Sequence, residues 1–250
     1  MPTDRKRTDD ALNPDRRRLL AGAAGMAAMG GGFSIIRLAL AKNDDEAVSS
    51  LTRWGLLIDT AKCSSGCNAC VSACNDEHNL HGFGRPLTDP QWIRKLDLVD
   101  EHTGHESSLP MLCQHCEHPP CVDVCPTGAS FRRDDGIVLV DKHTCIGCRY
   151  CVMACPYKAR SFVHEALSNQ KSYSPRGKGT VESCTLCVHR VDRDRTPACV
   201  EACQSDGGGA MVFGDLNDES GVLAGALRDH PSSQVRRDLD LNTGVRYRNL

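Results

Sequence analysis

Aromatic side chains are scarce in this sequence: 2 Trp, 4 Tyr and 5 Phe, or 4% of 250 residues. Large rings therefore supply little of its interior. Charge of one sign is lacking as well, with 30 Lys plus Arg against 32 Asp plus Glu and a net charge of −2. That balance excludes a globally basic nucleic-acid binder and a disordered acidic chain. Beyond residue 41 no stretch approaches the roughly 20 apolar residues of a membrane helix, so a soluble chain is expected, reaching a membrane only through a partner. The length suits one large or two small domains. What is abundant is cysteine, at 16 residues. A disulfide scaffold and metal ligation both use cysteine at this density, and spacing separates them.

The first residues read as a targeting signal. Arg16, Arg17 and Arg18 precede a mildly apolar, Gly- and Ala-rich stretch from Leu20 to Ile36, which leads to Ala39-Leu40-Ala41. A charged region, a short apolar region and a small-x-small ending make an export signal, and the Arg16-Arg17 pair marks the twin-arginine route, with cleavage after Ala41. A membrane anchor fits less well, because the glycines between Gly22 and Gly32 make a poor helix and Arg37 interrupts the apolar run. Removing residues 1–41 leaves 23 basic and 28 acidic side chains. A periplasmic location follows as an expectation.

The cysteines form four groups of four. The first is Cys63, Cys67, Cys70 and Cys74; the second Cys113, Cys116, Cys121 and Cys125, followed by Pro126; the third Cys145, Cys148, Cys151 and Cys155, followed by Pro156; the fourth Cys184, Cys187, Cys199 and Cys203. The third group is the bacterial C-x2-C-x2-C-x3-C-P run of a [4Fe-4S] ligand set, residue for residue. Two residues between ligands let thiolates converge around one cube, Gly147 lets the backbone curl, and the trailing proline turns the chain away. Adjacent cysteines in such tight loops rarely meet disulfide geometry. Zinc does not call for the Cys-Pro endings, although the fourth group alone could be half of a zinc ribbon. Clusters and export signal also agree with each other, since the twin-arginine route moves cargo already folded around its cofactors.

In two-cluster ferredoxins the fourth cysteine of a run ligates the other cluster. Pairing the groups in this way predicts four clusters. In an outer pair, Cys63, Cys67, Cys70 and Cys203 hold cluster 1, and Cys184, Cys187, Cys199 and Cys74 hold cluster 2. In a central pair, Cys113, Cys116, Cys121 and Cys155 hold cluster 3, and Cys145, Cys148, Cys151 and Cys125 hold cluster 4. The fold class is then α+β: tandem bacterial-ferredoxin-like modules, pseudo-twofold, with ββ hairpins and short helices around four [4Fe-4S] clusters.

Residues 1–41 are the signal. Residues 52–108 with 166–215 form the outer module with an insertion, residues 109–165 the central module, and residues 216–250 a polar tail that either wraps a partner or stays mobile. Strands are expected around Leu56-Leu57-Ile58, over Trp92–Val99 and at Ile137–Val140, with a polar turn from Asp100 to Ser108. The central block reads as cluster loop, helical turn and hairpin, twice over.

The stretch from Cys113 to Cys121 (CQHCEHPPC), the ending Cys125-Pro126-Thr127-Gly128-Ala129, and GIVLVDKHTCIGCRYCVMACPY from Gly136 to Tyr157 resemble the four-cluster electron-transfer subunits of the molybdopterin oxidoreductase superfamily. The resemblance covers about residues 52–213 and implies the same interleaved ligation. An exported member without its own membrane helix is similar to the periplasmic iron-sulfur subunits of the transmembrane complex associated with dissimilatory sulfite reductase. That resemblance implies a multispan quinone-reactive membrane subunit and a periplasmic multihaem cytochrome as partners. Subunits serving nitrite or tetrathionate reductases look alike at this level. The first group departs from the pattern, with three residues between Cys63 and Cys67, and Cys74 and Cys203 lack the following proline, which suggests more mobile turns.

Other residues take plainer roles. His115, His118 and His143 are read as surface or hydrogen-bonding groups, and no C-x-x-C-H haem attachment site occurs. Arg149, Lys158 and Arg160 either raise a nearby cluster's potential or are solvated surface charge. Gly207-Gly208-Gly209 is a flexible turn without the Lys-Ser or Lys-Thr of a phosphate loop. The main functional expectation is electron transfer without a catalytic site. The contrasting one, a self-contained iron-sulfur enzyme, needs a cluster short of one thiolate.

Overall fold

The computed structural model describes residues 48–229 and 231–250. Arg16, Arg17 and Ala41 of the expected signal lie outside the described residues. No helix among the described residues is long and apolar enough to cross a membrane.

In chain order the elements are β1 (Trp54–Asp59), α1 (Ala69–His78), β2 (Ile93–Val99), β3 (Glu106–Leu112), α2 (Pro120–Asp123), β4 (Ser130–Arg132), β5 (Val138–Val140), α3 (Tyr150–Ala154), β6 (Arg160–Phe162), β7 (Val181–Ser183), α4 (Val188–Val191), α5 (Ala198–Ser205), β8 (Met211–Asp215), α6 (Val222–Asp229) and β9 (Val245–Arg248). Strand β1 is the apolar run expected around Leu56, and Leu56, Leu57 and Ile58 are fully buried. It is the middle strand of a three-stranded sheet, antiparallel to β8 and parallel to β9. Both faces of a central strand are covered, which is why its sequence is continuously apolar instead of alternating.

The other sheets are two-stranded hairpins, each feeding a cysteine loop. Strands β2 and β3 pair from Ile93↔Leu112 to Val99↔Glu106. The polar turn is therefore shorter than its composition suggests, because Ser107 and Ser108 join the ladder. Strand β4 pairs with β5, whereas β6 finds its partner in β7, from Arg160↔Ser183 to Phe162↔Val181. The second hairpin thus does not close by residue 165. The excursion between its strands is fastened by a buried ion pair: Arg176 Nη2 lies 2.7 Å from Glu182 Oε1, and Arg176 Nη1 donates to the Asn79 carbonyl at 2.6 Å.

Proline placement divides the helices into two kinds. Pro126 and Pro156 follow Cys125 and Cys155, and the helices before them, α2 and α3, are four and five residues long. Cys155 therefore caps the end of a helix and does not begin a turn. Asn75 and Gln204 follow Cys74 and Cys203, nothing stops the ladder, and α1 and α5 run to ten and eight residues. The mobile turns suggested by the missing prolines are replaced by two regular helices packed against each other.

The polar tail is neither free nor unstructured. Helix α6 packs on β1 and β8 with Leu223 fully buried, and β9 adds itself to β1 with Val245 and Tyr247 inside. Tyr247 Oη donates to the Pro110 carbonyl at 3.1 Å and accepts from Gln114 Nε2 at 3.2 Å. Arg248 pairs with the buried Asp59 at 2.6 Å. Charged residues alternate with buried ones along β9 (burial pattern buried, partial, buried, partial), so its mean composition hides a strand. Tyr247→Ala is predicted to cost about 3–5 kcal/mol, against under about 0.5 kcal/mol for Leu250→Ala at the exposed end. Thermal unfolding of the two variants measures the difference.

Candidate metal centres

Each of the four helices that carry cysteines presents two of them, one turn apart. Cys70 and Cys74 lie on α1, Cys199 and Cys203 on α5, Cys121 on α2 with Cys125 just beyond it, and Cys151 on α3 with Cys155 at its end. Residues four apart share a helix face but are separated along the axis by about one 5.4 Å turn. One helix can therefore face two neighbouring cavities. Local geometry, not loop flexibility, brings cysteines from different groups together.

Cys63, Cys67, Cys70 and Cys203 line one small cavity, together with Pro110, Gly208 and Met211. Cys113, Cys116, Cys121 and Cys155 line a second small cavity, with Tyr157 and Arg160 in its wall. The charges of Cys184, Cys199 and Cys187 act on Cys74 more strongly than that of Cys70 on its own helix. Cys151 has Cys145 and Cys125. Cys148 is exposed on the loop that carries Cys145 and Cys151. A larger open groove, of about 750 Å3, borders only Cys63 among the cysteines.

The loops curl through left-handed backbone at equivalent places. The residue before the second cysteine of a C-x-x-C pair has positive φ in three groups: His115 at 43°, Gly147 at 70° and Leu186 at 53°. Glycine adopts this freely, and a Cβ at position 147 would come within 2.1 Å of the Gly179 carbonyl oxygen. At His115 and Leu186 the conformation costs roughly 1–3 kcal/mol and persists because the surroundings enforce it. Gly208 is not a flexible joint, since a Cβ there would lie 2.2 Å from the Lys62 carbonyl oxygen.

The sulfurs are free of one another, with no disulfide among them, and several receive hydrogen bonds. The Ser130, Val181 and Leu186 amides donate to Cys125, Cys145 and Cys184 at 3.3, 3.5 and 3.4 Å. His78 Nε2 lies 3.3 Å from Cys187 Sγ while its Nδ1 meets Ser174 Oγ at 2.8 Å. Burial, with His189 adding to it, holds the His78 ring neutral, its pKa down to about 3. Burial and the neighbouring thiols push Cys70 up to about 11 and Cys116 up to about 12. As bare thiolates these sulfurs are disfavoured, and metal binding must displace their protons.

Their arrangement suits a polynuclear centre. Among the described residues no three His, Cys, Asp or Glu converge closely enough to hold a single metal ion; the thiols surround space instead of a point. Arg160 supplies a second sign. It is 5% exposed, and its Nε, Nη1 and Nη2 are buried without a hydrogen-bond partner. A buried guanidinium among thiols fits a site whose loaded form is anionic.

Some of this was not visible in the spacing. Lys95, inside the insertion, reaches across to donate to the Ser64 and Cys67 carbonyls at 2.6 and 2.8 Å, and nothing in the sequence marks it. His78 follows Cys74 by four residues and so shares its helix face, a signal that was available. Of the three histidines, His115 is buried and accepts from the Val138 amide at 3.1 Å, while His118 and His143 are exposed.

These features define a cysteine-ligated iron-sulfur protein. Residues 105–216 match the family described as 4Fe-4S dicluster domain, which takes in the second, third and fourth cysteine groups. The chain is 41% identical to the Hdr-like menaquinol oxidoreductase iron-sulfur subunit 1 of Archaeoglobus fulgidus, over 82% of this chain and 86% of that one. It is 39% identical to a subunit of the tetrathionate reductase of Salmonella typhimurium (80% and 74% covered) and 38% identical to a subunit of the sulfite dehydrogenase of Allochromatium vinosum (74% and 78% covered). The chain belongs to this family of iron-sulfur electron-transfer subunits of oxidoreductase complexes, and its cofactors are [4Fe-4S] clusters.

Because the sulfurs are built into the apolar core, removing the metal is predicted to unfold more than a surface loop. Iron chelation under reducing conditions should abolish the cooperative thermal transition and expose dye-binding apolar surface. Retention of the holo melting temperature after complete iron loss would contradict a structural role for the clusters.

Proposed function

We propose that this chain relays electrons through four [4Fe-4S] clusters in a row, between a membrane quinone-reactive subunit and a periplasmic redox partner. The observation that carries the reading is the order of the thiol sets. Cys70 of the first cavity repels Cys74 and Cys199 of the second set. Cys184 of that set repels Cys113 of the third, and Cys121 of the third repels Cys151 of the fourth. Each set thus has a neighbour close enough to feel its charge, and the order runs from the set of Cys70 through those of Cys184 and Cys113 to that of Cys151. The ligand assignment is Cys63, Cys67, Cys70 and Cys203; Cys74, Cys184, Cys187 and Cys199; Cys113, Cys116, Cys121 and Cys155; and Cys125, Cys145, Cys148 and Cys151. When bound, the clusters supply one-electron transfer; the chain holds each one, excludes water from most of it, and keeps neighbours close by carrying ligands of two clusters on one helix.

Every set has four protein thiols, which leaves no open iron for a substrate and favours a subunit without a catalytic site of its own. The exported, periplasmic location rests on Arg16-Arg17 and the sequence ending at Ala41. A quinone-linked partner draws support from the menaquinol oxidoreductase relative, and a role in sulfur metabolism from the sulfite dehydrogenase relative. Within sulfur metabolism we assign the chain to a sulfite reductase-associated membrane complex, with a multihaem cytochrome as the periplasmic partner. The tetrathionate reductase relative favours a second reading, in which the electrons serve a terminal reductase directly.

Two experiments test this. In spectroscopy of the reduced protein, Cys116→Ser and Cys155→Ser are expected to alter the same cluster, and Cys151→Ser a different one; grouping of Cys151 with Cys155 would overturn the assignment. In native membranes, a menaquinol analogue should reduce the clusters only while a copurifying integral membrane protein is present. Turnover of sulfite or tetrathionate by the isolated chain would overturn the relay.

A further inference from the structure

Arg160 opens β6, two residues past the tight turn at Lys158, and its side chain enters the core. Among the described residues no carboxylate forms an ion pair with it, although the two other buried arginines have such partners: Arg176 has Glu182, and Arg190 has Glu77 and Glu201. It lines the cavity of Cys113, Cys116, Cys121 and Cys155, and Cys151 of the fourth set is close enough to feel its charge. The cationic and titratable groups that feel Arg160 are Lys142, whose Nζ donates to the Val181 carbonyl at 3.0 Å, and His115, held neutral by burial. Neither cancels the guanidinium.

Among the described residues, the first two thiol sets have no fully buried cation without a carboxylate partner. Beside the second, His78 is neutral, and Arg176 and Arg190 are compensated by glutamates. Beside the first, Lys95 is half-buried and bonded to backbone carbonyls, and its charge reaches Cys63 and Cys70 from there. A fixed cation favours the more negative, reduced state of a cluster, and it does so most strongly where water is excluded.

We propose that Arg160 is a single counter-cation shared by the clusters of the third and fourth thiol sets, raising the reduction potential of both together. It acts as a positioning residue for charge, and it makes that end of the row more readily reduced than it is without the arginine. The proposal rests on the ligand assignment above.

Redox titration of the anaerobically purified full-length protein, followed by electron paramagnetic resonance, tests it. In Arg160→Gln the midpoints of two of the four clusters are expected to fall together while the other two stay in place; in Arg160→Lys both remain near the native values. Unshifted midpoints, a fall in only one, or a uniform shift of all four overturns the proposal. Iron and sulfide content separates its failure from that of the ligand assignment, because unchanged content with unshifted midpoints rejects only the role of Arg160. If Arg160→Gln fails to load two clusters, full loading of Arg160→Lys with native midpoints sustains the need for charge at this site, and equal failure of the lysine variant reduces Arg160 to packing and overturns it.

Discussion

Buried sulfur is the constraint on which the rest of this structure depends. Aromatic residues are too few to fill the interior, and thiols stand in their place between the hairpins and helices. Protonated, those thiols are poor packing material around two cavities; deprotonated and bare, the buried ones are disfavoured first by burial and then by their mutual repulsion, as the raised pKa values of Cys70 and Cys116 express. Iron and sulfide resolve both problems at once, filling the space and neutralising the ligands. Fold and cofactor are therefore one object, and the small sheets and short helices make sense as the frame around it.

The same constraint gives the relay its form. In the proposed ligation a helix with cysteines one turn apart serves two clusters, so the neighbour relation between clusters would be written into α1, α5 and the two proline-terminated helices. Spacing cannot drift without breaking ligation. The family's iron-sulfur subunits serve different oxidoreductases, in keeping with a structure that fixes the path of the electron and leaves the chemistry to other chains.

Much of this was legible in the sequence, because ligand spacing is a direct image of local geometry. The third group and Gly147 specify a cluster loop almost unaided, and Leu56-Leu57-Ile58 announces a central strand. Long-range pairings were not legible. Strand β7 closes a hairpin begun by β6 across an excursion that only the buried Arg176–Glu182 pair explains, and β9 hides in a polar tail since half its residues face outward. Burial of a charge was equally invisible: Arg149, Lys158 and Arg160 look alike in the sequence, yet Arg149 lies on the Phe162 ring at 3.8 Å, Lys158 is exposed, and Arg160 is inside.

The most direct test of the central claim is the iron and acid-labile sulfide content of natively produced, anaerobically purified protein. Four cubes built on the sixteen thiols require about 16 iron and 16 sulfide per chain. Zinc in place of iron, or a colourless product with its cysteines joined as disulfides, would contradict the account.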